Sequence, residues 1–221
     1  MVFGIDSIVT QFPVFIAGVV ALIISIGFHE FSHVFVAHSL GDPTGKNAGR
    51  LTLNPLKHLD PVGTLLILVG AFIGWGKPAP FSPENLRYKR YGSAIVALGG
   101  PLMNLLLLVM GSIALRISFG VLGASNLLTV FLQLFVIMNA SLLLFNLIPL
   151  PPLDGSWLLL ALLPRSADSL REFLGRYGWF ILLGVIFADF MFHIPIISPY
   201  LYRGVLFLMN VFGIIPYLGT V

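Results

Sequence analysis

The chain has 221 residues, of which 57% are apolar and 10% charged, and its mean hydropathy is +0.99. Soluble domains carry about 25% charged residues, so this chain cannot cover a water-facing surface, and a soluble enzyme and a disordered chain are both excluded. The absence of cysteine rules out disulfides, thiolate metal ligands and thiol nucleophiles, and the 12 Lys and Arg against 9 Asp and Glu form no basic, aromatic-studded face for nucleic acid. The composition is that of an all-α polytopic membrane protein whose main partner is the lipid bilayer.

A helix needs about 20 apolar residues to cross the hydrocarbon core. The first uncharged run, residues 7–28, has that length; no Lys or Arg precedes it and no small-residue cleavage site follows, so it reads as a span and not a cleavable leader. Residues 61–74 are apolar but too short to cross, which suits a re-entrant or interfacial segment. Uncharged runs at 91–115, 117–153 and 204–221, with a short one at 177–192 interrupted by Asp189, complete the set, and an uncharged loop at 120–126 separates the second and third spans. If 61–74 dips in and returns, ten of the 12 basic residues share one side, which the positive-inside rule makes cytoplasmic. The sequence therefore predicts about five transmembrane helices, one re-entrant and possibly strand-containing segment, an outside N-terminus and an inside C-terminal end.

Directly after the first run stand His29, Glu30, Phe31, Ser32 and His33. Residues four apart share a helix face, so two imidazoles can hold one metal ion while Glu30 reaches water at that ion as general base. Ionisable groups at membrane depth are costly and need a compensating partner, which a metal supplies and a pair of merely interfacial histidines does not.

Catalytic zinc keeps three protein ligands and an open position. A longer motif with a third histidine would place Gly and His where Val36 and Ser39 stand. His38 falls on roughly the opposite helix face, Glu84 lies on a basic loop beside Arg87, and His58 and Asp60 read as interfacial. Asp154 remains, next to Pro149, Pro151 and Pro152. Prolines so close together end a transmembrane helix and free backbone groups that only protein or a watery cavity can satisfy, and a carboxylate beside such a break is well placed as a ligand. The alternative is that it caps a short apolar helix over 156–163, and the two roles are compatible.

Three segments in order, His29-Glu30-x-x-His33, Gly99-Gly100-Pro101-Leu102-Met103-Asn104 and Asn146-x-x-Pro149-x-x-Pro152-x-Asp154-Gly155, resemble the site-2 protease family of intramembrane zinc metalloproteases. The stretches 50–64 and 74–87 are also similar to that family. The resemblance implies one intramembrane metalloprotease domain over 1–221, a three-helix core holding one zinc ion through His29, His33 and Asp154, water activation by Glu30, and substrates that are transmembrane helices of membrane proteins. Many members carry a PDZ or CBS domain; this chain resembles a minimal form without either, and Ser82 stands where relatives often have Asn.

Asn104 and Asn146, amides in otherwise apolar spans, are candidates for the substrate pocket and oxyanion donors, with interhelical hydrogen bonding as their commoner use. The region 50–83 is a candidate for an extended edge that pairs with unwound substrate. Rival readings are a proton- or metal-coupled transporter, which would show an internal repeat that this sequence lacks, and a non-proteolytic membrane-protein-binding relative, against which the intact His-Glu-x-x-His speaks. No Gly-x-Ser-Gly or Gly-x-Ser-x-Gly segment supports a serine-type intramembrane protease.

Overall fold

The computed structural model describes residues 5–63, 76–89 and 91–218. Its helices are α1 (Ile5–Ser39), α2 (Thr44–Asn47), α3 (Gly92–Leu122), α4 (Leu127–Asn146), α5 (Asp154–Leu162), α6 (Asp168–Met191) and α7 (Ser198–Val211). Four are long and apolar enough to cross a membrane: Gln11–Ser39 of α1, α3, α4 and α6. The all-α polytopic expectation holds, and the described residues contain no strand, only an isolated antiparallel bridge between Leu59 and Gly76.

The first uncharged run and the His-Glu-x-x-His segment form one helix of 35 residues, α1. That is about 52 Å at 1.5 Å per residue, well beyond the hydrocarbon thickness, so the motif stays helical and projects its side chains into a bundle. Helices α1, α3 and α4 pack together. Ala21, Leu107 and Phe135 meet in one buried cluster, and Leu108, Leu115, Leu132, Val136 and Ala140 meet in another. Close approach rests on small residues, as is usual between membrane helices: a Cβ on Gly111 would sit 3.0 Å from Phe135 and Val136. The Ser32 hydroxyl donates to the Gly99 carbonyl across α1 and α3 at 2.9 Å.

Between α3 and α4 the chain turns at Gly123, whose φ of +83° favours glycine, and α4 starts where the Asn126 side chain accepts from the Leu128 amide. Arg116 lies inside α3, its guanidinium donating to the Phe212 carbonyl, and the second and third spans divide at Gly123, within the expected loop 120–126.

The stretch 204–221, expected as a fifth span ending inside, differs more. Its helix, α7, has 14 residues, about 21 Å and too short to cross alone. The Tyr200 hydroxyl donates to the Leu144 carbonyl at 3.2 Å, near the end of α4, whereas Tyr217 packs edge-on against Phe119 at 5.0 Å and its carbonyl accepts from Gln133. Helix α7 thus runs antiparallel to α4 and carries the chain to the end of the bundle remote from His29. Composition counted apolar length; the direction is set by Met209 and Ile214, fully buried against α3 and α4, and by the side chains of Arg116 and Gln133 that engage this segment.

The expected re-entrant segment 61–74 falls mostly outside the described residues. Its flanks do not: Leu59 bridges Gly76, and the Lys77 amide donates to the His58 carbonyl at 2.8 Å. The two ends therefore lie side by side, as a segment that leaves and returns on one side requires.

Candidate metal centre

His29 and His33 lie one turn apart on α1 and both are buried. Asp154 is the first residue of α5, delivered to them by the proline-rich turn that follows α4. Leu153, buried, precedes it, and a Cβ on Gly155 would press within 2.6 Å of the Ile148 carbonyl, so only glycine lets α5 fold back this closely. Nε2 of His29 is 3.1 Å from Nε2 of His33, and Oδ2 of Asp154 is 3.2 Å from the former and 3.3 Å from the latter. Oδ2 of Asp154 is buried with no hydrogen-bonding partner.

These three atoms fit a cation. Zinc–ligand bonds of about 2.0–2.2 Å in tetrahedral geometry separate neighbouring ligand atoms by roughly 3.3 Å, which matches all three separations. The remaining imidazole nitrogens face acceptors: Nδ1 of His33 donates to the Val96 carbonyl at 2.8 Å, and Nδ1 of His29 lies 2.6 Å from Oδ1 of Asn104. Both Nε2 atoms are left as lone-pair donors toward the same point, the arrangement that orients histidine ligands. Gly100 completes the cradle, since a Cβ there would overlap both imidazoles. Among the described residues this is the group of His, Asp and Glu side chains whose ligand atoms converge.

The three side chains border a cavity of about 290 Å³, with Glu30, Gly76, Pro78, Phe81, Phe145, Asn146 and Trp157 also in its wall. Of the two amides singled out in the sequence, Asn146 reaches the cavity, its Nδ2 donating to the Leu142 carbonyl at 3.0 Å. Asn104 stands behind the histidines, fully buried, facing His29 on one side and Asn139 on the other. Sequence reasoning missed Asn139. Its signal was present, for it is a third amide in the same apolar spans, seven residues before Asn146 and so near the same face of α4.

Residues 108–187 match peptidase family M50. Over 170 residues the chain is 41% identical to a protein of Bacillus subtilis named "Putative zinc metalloprotease YwhC", covering 75% of this chain and 77% of that one. The chain belongs to peptidase family M50, the site-2 protease family. Other relatives are similar at lower identity. A protein of Mycolicibacterium smegmatis named "Putative zinc metalloprotease Rip2" is 34% identical over 151 residues, 64% of this chain and 55% of that protein. Its namesake in Mycobacterium tuberculosis is 29% identical over 208 residues, 91% and 76% respectively. No solved structure matches the chain. Zinc is the ion that membership of M50 implies, and the two imidazoles and the carboxylate described above suit it.

Proposed function

We propose that this chain is an intramembrane zinc endopeptidase that cuts peptide bonds within the transmembrane segments of membrane-protein substrates. The observation that supports the reading is the convergence of His29 Nε2, His33 Nε2 and Asp154 Oδ2 on one point of a cavity that Glu30 also borders, with both histidines on a helix apolar enough to span a bilayer. On this reading His29, His33 and Asp154 hold the ion, and residues 1–221 act as one protease domain.

Zinc held there supplies Lewis acidity, polarising a scissile carbonyl and acidifying water where bulk hydroxide is scarce. Glu30 takes a proton from the attacking water as its oxygen bonds to the carbonyl carbon, and returns that proton to the departing amine as the C–N bond breaks. The Nδ2 group of Asn146 has a second N–H beyond the one given to Leu142, and presents it to the developing oxyanion. Asn104 acts on His29, not on substrate. Gly76, Pro78, Ala79 and Phe81, which also line the cavity, belong to the region 50–83 that holds an unwound substrate in extended form through backbone pairing.

The seven basic residues that flank the segment 61–74, with Arg165, Arg171 and Arg176 between the end of α5 and the first turns of α6, favour a cell-membrane orientation with the cavity toward the cytoplasm. The test is co-expression with tagged single-span membrane proteins, comparing wild type with Glu30→Gln. Cleavage by wild type and none by the variant is expected. Cleavage by both, or a protein that binds no metal and never cleaves, would overturn the reading.

A further inference from the structure

The two histidines are oriented by different kinds of partner. Nδ1 of His33 faces a backbone carbonyl, Val96 O, which can only accept, so the proton on that ring must sit on Nδ1 and Nε2 is free to ligate. Nδ1 of His29 faces the side-chain amide of Asn104, which offers an acceptor or, rotated by half a turn, a donor. Rotated, it would demand a bare Nδ1, move the ring proton to Nε2 and point that proton at the metal position. Something must hold Asn104 one way round.

A chain of buried groups does so. Nδ2 of Asn104 donates to Oδ1 of Asn139 at 2.9 Å, and Nδ2 of Asn139 donates to Oγ of Ser25 and to the Phe135 carbonyl, each at 2.8 Å. The Ser25 hydroxyl is spent on the Ala21 carbonyl at 2.8 Å, so its oxygen can only accept from Asn139. Ser25, Asn104 and Asn139 are each 0% exposed. Turning the Asn139 amide would set its oxygen against the Phe135 carbonyl, and turning Asn104 would set oxygen against oxygen, with no water to relieve either.

We propose that Ser25 and Asn139 are positioning residues for metal binding: two helix carbonyls, Ala21 O and Phe135 O, fix the polarity of a Ser25–Asn139–Asn104 relay through α1, α4 and α3, and the relay selects the His29 tautomer that can ligate. Neither residue touches the cavity. The proposal rests on the zinc reading above, and it is read out by zinc affinity and not by proteolysis, so a relay that fails and a protease that fails are distinguishable.

The experiment uses the full chain in lipid nanodiscs, with zinc affinity measured by chelator competition and the visible spectrum of the cobalt-substituted protein recorded beside it. Asn139→Leu keeps similar volume and suits the apolar surroundings but frees Asn104 to turn; it is expected to weaken zinc binding about 10- to 100-fold and to change the cobalt spectrum. Adding Asn104→Asp, whose carboxylate can only accept from His29, is expected to restore affinity in the double variant. A packing role predicts no such rescue. Should Asn139→Leu fail to fold, Ser25→Ala, which removes one of the two acceptors holding Asn139, is expected to weaken zinc severalfold and to be rescued by the same Asn104→Asp. Wild-type affinity and spectrum in the variant read, or loss without rescue, would overturn the relay. Wild-type protein that binds no zinc would overturn the metal site and the relay together.

Discussion

Nε2 of His33 stands 3.3 Å from Oδ2 of Asp154, a contact between the first helix of the bundle and the short helix that follows the proline-rich turn. It ties the end of the third spanning helix, α4, back onto the first, and both residues line the cavity. Two buried nitrogen lone pairs and a carboxylate oxygen without a partner of its own repel each other unless a cation sits between them.

Replacing the carboxylate tests that balance. Asp154→Asn keeps the shape and removes the charge, and zinc occupancy after dialysis is expected to fall from about one per chain toward zero, with affinity lowered at least 100-fold. Unchanged zinc content would mean that another group completes the ligand set. Because Asp154 also begins α5, helix content should be checked in the same sample.

Gly100 offers a steric test of the same centre from the opposite side. A methyl group there would overlap the imidazoles of both His29 and His33, and a retreat of α3 would break the hydrogen bond from Ser32 to the Gly99 carbonyl. Gly100→Ala is expected to lower zinc affinity by about tenfold or more while Gly120→Ala, where a Cβ meets nothing within 4 Å, leaves it unchanged. Equal zinc binding in both variants would remove Gly100 from the site.

The sequence exposed the parts that depend on local chemistry. The i, i+4 histidines and the glutamate between them needed no fold to be recognised, and elimination of His38, His58 and Glu84 left Asp154 as the candidate third ligand, a residue the structure brings within 3.3 Å of both imidazoles. What depends on tertiary partners was hidden. The acceptor that meets the charge of Arg116 was unreadable because Phe212, whose carbonyl receives it, lies 96 residues away in the sequence. The direction of α7 was unreadable because apolar length is the same in either direction. Asn104 and Asn146 looked alike as lone amides, and only their neighbours separate one beside His29 from one in the cavity wall.

Acid should loosen the loop that joins the flanks of the segment 61–74. His58 is fully buried with Nδ1 unpartnered and Nε2 donating to the Thr52 carbonyl at 2.9 Å. Burial pushes its pKa below the ordinary 6.5; the Thr52 carbonyl works against this, Arg50 works with it and Glu30 against, with a net lowering. A group whose pKa is depressed on folding favours the neutral form, so its contribution is complete above about pH 6.5 and is lost as pH falls from there toward the lowered value. The Lys77 amide, bonded to the His58 carbonyl, reports this. Its protection factor against hydrogen exchange is expected to fall between pH 7 and pH 5, and His58→Gln should flatten that dependence. A protection factor independent of pH in wild type would show that His58 does not govern the loop.

The last relationship to test is the one that docks α7. The Arg116 guanidinium donates to the Phe212 carbonyl, and Gly213, at φ +60°, lies so close that a Cβ there would come within 2.8 Å of the same group. This turn ends α7 and delivers Ile214 to the cluster with Leu115 and Val136. Arg116→Met keeps an unbranched apolar side chain and removes the donor. Because Arg116 is exposed, the bond contributes about 1 kcal/mol or less, enough to raise the open population of the turn by about fivefold. The Ile214 amide, bonded to the Met209 carbonyl at 2.7 Å, is therefore expected to exchange about fivefold faster in the variant. Zinc affinity should not change, since Phe212 and Tyr217 lie at the end of the bundle remote from His29. Unaltered exchange would show that burial of Met209 and Ile214 alone holds α7, and a loss of zinc would show that α7 supports the metal centre from a distance.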